Sequence, residues 1–158
     1  MDNAQAIREF FAAFGRRDAD GMISHYHPEL VFEDPVFGKL SREQASVMWH
    51  MLCARATDLV VELGSHQADE AKGHAEWDAK YTFSKTGRFV HNRVRSELEF
   101  RDGQIIRQKD DFNFWRWASM ALGPRGQLLG WSSLVKNAVR KEVKRSLEHY
   151  ASASKSPP

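Results

Sequence analysis

Apolar residues recur every three to four positions over residues 3–14, placing Ala4, Ile7, Phe10, Phe11 and Phe14 on one side of a predicted helix. Asp2 or Asn3 can cap its start and Gly15 can end it. Asp18 is the expected cap of a second, short helix with Ala19, Met22, Ile23 and Tyr26 on one side, closed by Pro28. The run LVFEDPVFG at 30–38 predicts a short strand stopped by Pro35. SREQ at 41–44 has the spacing of a capping box and predicts a third helix carrying Ala45, Met48, Met51 and Leu52.

From about residue 58 the period changes to two, as expected of strands. Four alternating stretches cover residues 58–69, 74–87, 88–103 and 104–115, with KTGR (85–88) and RDGQ (101–104) reading as hairpin turns. FWRWASMALG predicts a turn or two of helix, PRGQLLGW a loop, and SSLVKNAVRKEVKRSLEHY a helix. In that last helix Val135, Val139, Val143, Leu147 and Tyr150 form the apolar stripe, and Lys136, Arg140, Lys141, Lys144 and Arg145 a basic face. Helices followed by hairpin-linked strands predict an α+β domain, with helices against one curved antiparallel sheet.

Composition narrows the functional classes. A chain of 158 residues with a formal charge of +2 is too weakly basic to argue for a nucleic-acid partner. The aromatic stretch FNFWRW is more naturally packing than a base-stacking platform. No run approaches the roughly 20 apolar residues of a membrane span, and MDNAQAIREF lacks the pattern of a secretion signal. One cysteine, Cys53, fits a reducing compartment, so a cytoplasmic location is expected. His25 and His27 diverge on a helix, and no ligand cluster, phosphate loop or dinucleotide fingerprint occurs, so neither metal nor cofactor is expected.

Alternation sorts the strands into faces. Trp77, Ala79, Tyr81 and Phe83 oppose Glu76, Asp78, Lys80 and Thr82. Val90, Asn92, Val94, Ser96, Leu98 and Phe100 oppose a nearly all-charged face that includes Arg93 and Arg95. Ile106, Gln108, Asp110 and Phe112 alternate with Arg107, Lys109 and Asp111. In the first strand only one of Glu33 and Asp34 can share a face with Phe32. A carboxylate on an inward face costs several kcal/mol or takes up a proton more readily, so a protein needing only a core avoids one.

The segment GRRDADGMISHYHPELVFEDPVFG, with the helix before it and the strands after it, resembles the nuclear transport factor 2-like superfamily, in its SnoaL-like and ketosteroid isomerase-like branch. The resemblance implies a cone: a bent sheet wrapped around helices and a deep, mostly apolar pocket. It covers roughly residues 4–117, giving a cone domain at 1–117, a helical extension at 118–150 that packs on it as lid or dimer surface, and a disordered tail at 151–158. The extension resembles that of a bacterial ketosteroid isomerase-related subgroup. In the isomerases the Asp of E-D-P projects into the cone and moves a proton beside a carbonyl; here that is Asp34, with Glu33 outward. A late-strand carboxylate used by the cyclase-like and epoxide-hydrolase-like relatives resembles Asp110. The isomerases' two oxygen-holding donors match Phe10 and Ser96, which cannot rebuild that pair.

The expected ligand is therefore a small hydrophobic molecule bearing a carbonyl or epoxide. Asp34 and Asp110 are the candidate acid–base pair, with Asn92, Gln108, Ser96 and Tyr81 as polar contacts and Trp49, Trp77, Phe83 and Phe10 as apolar wall. Competing assignments have Asp34 capping backbone N–H groups, Asp110 paired with Arg93 or Arg107, and Tyr81 only packing. A binding protein without turnover and a dimeric scaffold are the rival functions; the resemblance also implies a homodimer.

Overall fold

The computed structural model describes residues 2–130 and 132–155. Asp2 caps α1 (Asn3–Gly15) by accepting from the Gln5 N–H, and Asp18 caps α2 (Ala19–Ile23) by accepting from that of Gly21. Strands β1 (Tyr26–Asp34) and β2 (Gly38–Ser41) form a hairpin broken at Pro35. The Ser41–Gln44 capping box then opens α3 (Arg42–Arg55), with both reciprocal bonds present.

Four strands follow: β3 (Val60–Ala68), β4 (Lys72–Phe83), β5 (Arg88–Arg101) and β6 (Gln104–Asp111). The β5–β6 turn has both Asp102 and Gly103 at positive φ, the conformation for which an Asp-Gly hairpin is suited. The six strands lie in the order β2-β1-β6-β5-β4-β3. Register shifts between Leu63 and His66 and between Glu99 and Phe100 mark bulges that add twist and bend to the sheet.

The core lies between this sheet and the helices. Helix α1 packs on β3 and β4, and α3 on β1 and β2. Trp49 of α3 meets the rings of Phe10, Phe14 and Phe32 edge-on at 5.0–6.1 Å, a geometry in which ring edges face the negative π cloud. Beyond the sheet, α4 (Phe114–Leu122) lies on β5, α5 (Pro124–Leu129) folds back on α4, and α6 (Ser133–Lys155) lies against α3.

The α+β class and the face assignments of β4 and β5 agree with expectation; several local expectations do not. Tyr26 belongs to β1, not to the second helix, and Pro28 sits within that strand. Its missing N–H is accommodated where the β1–β6 register shifts, between Tyr26 and Val31. The β1–β6 pairing is parallel, so the sheet is mixed; alternation fixes faces but carries no strand direction. Strand β2 was not anticipated. At the start of β6 the bulge makes Ile105, not Ile106, the fully buried residue. PRGQLLGW contains α5 where a loop was expected. Helix α6 continues to Lys155; Trp131 and the expected tail residues 156–158 lie outside the described residues.

Candidate active site in the cone

A cavity of about 140 Å³ opens between the sheet, α3 and α6. Its walls are mostly apolar, with Trp49, Trp77, Phe83 and Phe112 among them, and Asp34 and Asp110 both border it. Asp34 is delivered by the strand break: Pro35 turns the chain so that the carboxylate Oδ1 accepts from the N–H groups of Val36 (2.8 Å) and Phe37 (2.5 Å). The capping role and the cavity-facing role are thus filled by one side chain, because Oδ2 receives no hydrogen bond among the described residues. Burial pushes the Asp34 carboxyl up to about 7. The Phe37 N–H opposes that rise, the Asp110 charge adds to it, and the Val36 N–H and Arg140 guanidinium oppose it.

Asp110 is 4% exposed and is held differently. Its Oδ1 accepts from Ser96 Oγ at 2.5 Å and from Gln108 Nε2 at 3.0 Å. Ser96 Oγ in turn accepts from the Trp77 indole at 2.8 Å. Gln108 Oε1 accepts from the Tyr26 hydroxyl at 2.7 Å, and that hydroxyl accepts from the Trp49 indole at 2.8 Å. An indole N–H can only donate. Both ends of the chain therefore fix every donor direction, and both arms converge on the Asp110 carboxylate. Burial raises Asp110 to about 6, with the Ser96 and Gln108 hydrogen bonds restraining the rise. Burial, and secondarily the Asp110 charge, push the Tyr26 phenol well above its ordinary value, so it remains a donor.

The cavity brings together Asp34, Asp110, Asn92, Tyr81, Trp49, Trp77 and Phe83 of the residues singled out from the sequence. It does not include Phe10, Ser96 or Gln108. Phe10 is 1% exposed and packs against Phe11, Tyr26 and Trp49. Ser96 and Gln108 spend their hydrogen-bonding capacity inside the polar chain, leaving no surface for a ligand. Neither Arg93 nor Arg107 pairs with Asp110: Arg93 is exposed, and Arg107 reaches Glu99 at 3.4 Å on the outer face.

Sequence reasoning missed Tyr26, Trp117 and Arg140. Tyr26 is detectable by extending the alternation of Phe32 and Leu30 back past Pro28. Trp117 of α4 borders the cavity and donates its indole N–H to the Tyr81 hydroxyl at 3.0 Å. Arg140 of α6 donates Nε–H to the Pro35 carbonyl at 3.1 Å. No local motif marks either, since both act across long sequence separations. Cys53 is buried and free, its thiol raised to about 11 by burial, which keeps it protonated and unreactive. Among the described residues no group of three or more His, Cys, Asp or Glu side chains stands where it could hold a metal ion.

A family model described as a SnoaL-like domain matches residues 7–108, well over half of the chain. The chain belongs to the SnoaL-like domain family. Solved structures share the SnoaL-like fold at low identity. AclR from Streptomyces galilaeus is 23% identical, with a TM-score of 0.64 over 80% of this chain and 96% of its own. An LEH-like epoxide hydrolase from M. tuberculosis is 20% identical, with a TM-score of 0.63 over 80% of this chain and 92% of its own. A protein with a ketosteroid isomerase-like fold from Catenulispora acidiphila, in complex with trimethylamine, is 13% identical, with a TM-score of 0.65 over 75% and 92%. At these identities the likeness fixes the SnoaL-like fold and nothing finer. A search of curated proteins finds no match. No helix among the described residues is long and apolar enough to cross a membrane.

Proposed function

We propose that this SnoaL-like chain is an acid–base enzyme acting on a small lipophilic carbonyl or epoxide compound, with Asp34 as the proton-transfer group. One observation carries the reading: Asp34, whose Oδ2 accepts no hydrogen bond among the described residues, borders an apolar cavity, and burial brings its carboxyl to about 7. A base is most effective when its proton affinity matches the working pH, since enough of it is then ionised and each ionised group still binds a proton well. Asp110 holds its own charge through the converging donors and strengthens Asp34 as a base. The LEH-like relative supports a hydrolase variant of this chemistry, and the protein solved in complex with trimethylamine supports a compact ligand.

The cavity size favours a compact substrate, because about 150 Å³ of apolar cavity accommodates a single benzene ring. Cyclohexanone and cyclohexene oxide are therefore suitable probes. Wild-type protein is expected to speed exchange of the ketone's α-protons in D₂O, or diol formation from the epoxide, and Asp34→Asn to lose about a hundred-fold or more of that rate. Quenching of tryptophan fluorescence by the same probe should survive the substitution. Binding without any acceleration by the wild type overturns the enzyme reading in favour of a carrier. Pairing of two copies through the outer face of the sheet belongs to the same proposal, checked by light scattering.

A further inference from the structure

The Trp117 indole N–H donates to the Tyr81 hydroxyl oxygen at 3.0 Å, so Tyr81 is the acceptor in that bond. The phenol's own hydrogen has no acceptor among the described residues, and Tyr81 borders the cavity. Burial, and secondarily the Asp34 charge, hold the phenol above its ordinary value, so that hydrogen stays in place. Asn92 is the second such group. It is 9% exposed, borders the same cavity, and its carboxamide has no hydrogen bond among the described residues. Asn92 pairs with Ala79 across β4–β5, so Tyr81, two residues along β4, is its diagonal neighbour on the inward face. The inward Ser96, Gln108 and Tyr26 are committed to the chain that ends on Asp110. Among the described inward-facing strand residues that border the cavity, the groups left open are Asp34 Oδ2, an acceptor, the Tyr81 hydroxyl hydrogen and the Asn92 carboxamide, which can donate or accept.

We infer that Tyr81 and Asn92 form a seat for a ligand oxygen that gains negative charge, and that Trp117, from beyond the matched domain, is the positioning residue that aims the Tyr81 hydroxyl. The inference rests on Asp34 acting as the base. In the step it serves, Asp34 Oδ2 takes a proton from the carbon next to a carbonyl. The C–H electron pair becomes the carbon–carbon double bond of the enolate, and the carbonyl π pair moves onto oxygen. The negative charge thus passes from the carboxylate to the seated oxygen, and the site's net charge is unchanged. Donors fixed before the charge appears need no reorganisation when it does. The seat also states a substrate class: a carbonyl compound of about one ring with an acidic neighbouring C–H.

A single-ring enolate mimic tests this without knowledge of the substrate. 4-Nitrophenol absorbs differently as phenol and phenolate, and 4-nitroanisole has the same ring without the ionisable oxygen. In an Asp34→Asn background, which removes the Asp34 charge and leaves the Asp110 carboxylate engaged by Ser96 and Gln108, the phenolate is expected to bind. Adding Tyr81→Phe should weaken it about ten-fold to a hundred-fold, the range for hydrogen bonds to a charged group, and Asn92→Leu should do the same. Trp117→Phe should move the bound probe's spectrum toward the neutral phenol. Affinity for 4-nitroanisole should stay within about two-fold in all three, because an exposed neutral oxygen gains little from such donors. Failure of phenolate to bind, an affinity and spectrum indifferent to Tyr81→Phe, or an equal loss of 4-nitroanisole binding overturns the seat. The ketone exchange measurement separates the two readings. Exchange that depends on Asp34 while the phenolate ignores Tyr81 leaves the base standing and removes the seat; the opposite pair of results leaves an oxygen seat without a base.

Discussion

Replacing Asp34 by asparagine separates the charge of this side chain from its shape. The amide oxygen can still accept from the Val36 and Phe37 N–H groups, while the ionisation is gone. The folded carboxyl titrates at about 7 against 3.8 for the unfolded chain. Folded protein therefore holds the proton more tightly between those values. The stability this confers is complete below the unfolded value, is lost as pH rises through about 7, and changes no further above it. Each ten-fold in proton affinity is worth about 1.4 kcal/mol, which sets the total near 4 kcal/mol for a carboxyl raised from 3.8 to about 7. The variant lacks this loss. Urea unfolding of both proteins at a series of pH values gives the difference directly, and groups titrating alike in both cancel. The variant's stability minus the wild type's should climb by about 1.4 kcal/mol per pH unit from about pH 4 to about pH 7, then level off. A difference that stays flat across that window refutes the buried, desolvated carboxyl on which the proposed chemistry depends.

Two further outcomes follow from the extension. Arg140→Met removes a positive charge that holds Asp34 down, so the midpoint of the pH profile for ketone exchange should move to higher pH; an unmoved midpoint excludes Arg140 from tuning the site. Gly126→Ala should lower the thermal midpoint, since a Cβ there runs into the backbone carbonyl of Ala118 and forces α5 off α4 at a cost of about 1–3 kcal/mol. Gly15→Ala is the control, because nothing stands within 4 Å of a Cβ at that position and the change should be neutral or mildly stabilising.

The fold was legible where one physical rule acted alone. Period-two alternation placed Trp77, Val90, Val94 and Leu98 inward because a strand's faces follow from its geometry. Asp-Gly gave the β5–β6 turn because its two positive φ values suit few other pairs. Legibility failed where tertiary context competed with a local rule. Pro28 reads as a helix stop, yet it lies in a strand whose partner register shifts around it. Ile105 and Ile106 are equally apolar, and only the bulge opposite Phe100 decides which one is buried. The parallel direction of β1 against β6 left no trace in either strand, because direction is set by the route of the chain between them.

The site divides along the same line, for a reason that lies in how hydrogen bonds are shared. A sequence shows which polar residues face inward; it does not show how much of their bonding capacity neighbours consume. Asn92, Ser96, Gln108 and Asp110 share the inward faces on which they were expected, and all four are buried. Two of them are nonetheless closed to a ligand, since donor-only indoles at 49 and 77 drive a one-way chain through Gln108 and Ser96 into Asp110. Asp110 thereby receives side-chain donors, while among the described residues Asp34 receives two backbone N–H groups, both on Oδ1. The difference in donors favours charge on Asp110, and that charge adds to the rise that burial imposes on Asp34. The two carboxyls titrate as a pair, both pushed up by burial. The bias of charge toward Asp110 depends on Trp49 and Trp77, which alternation and helical spacing mark only as apolar bulk.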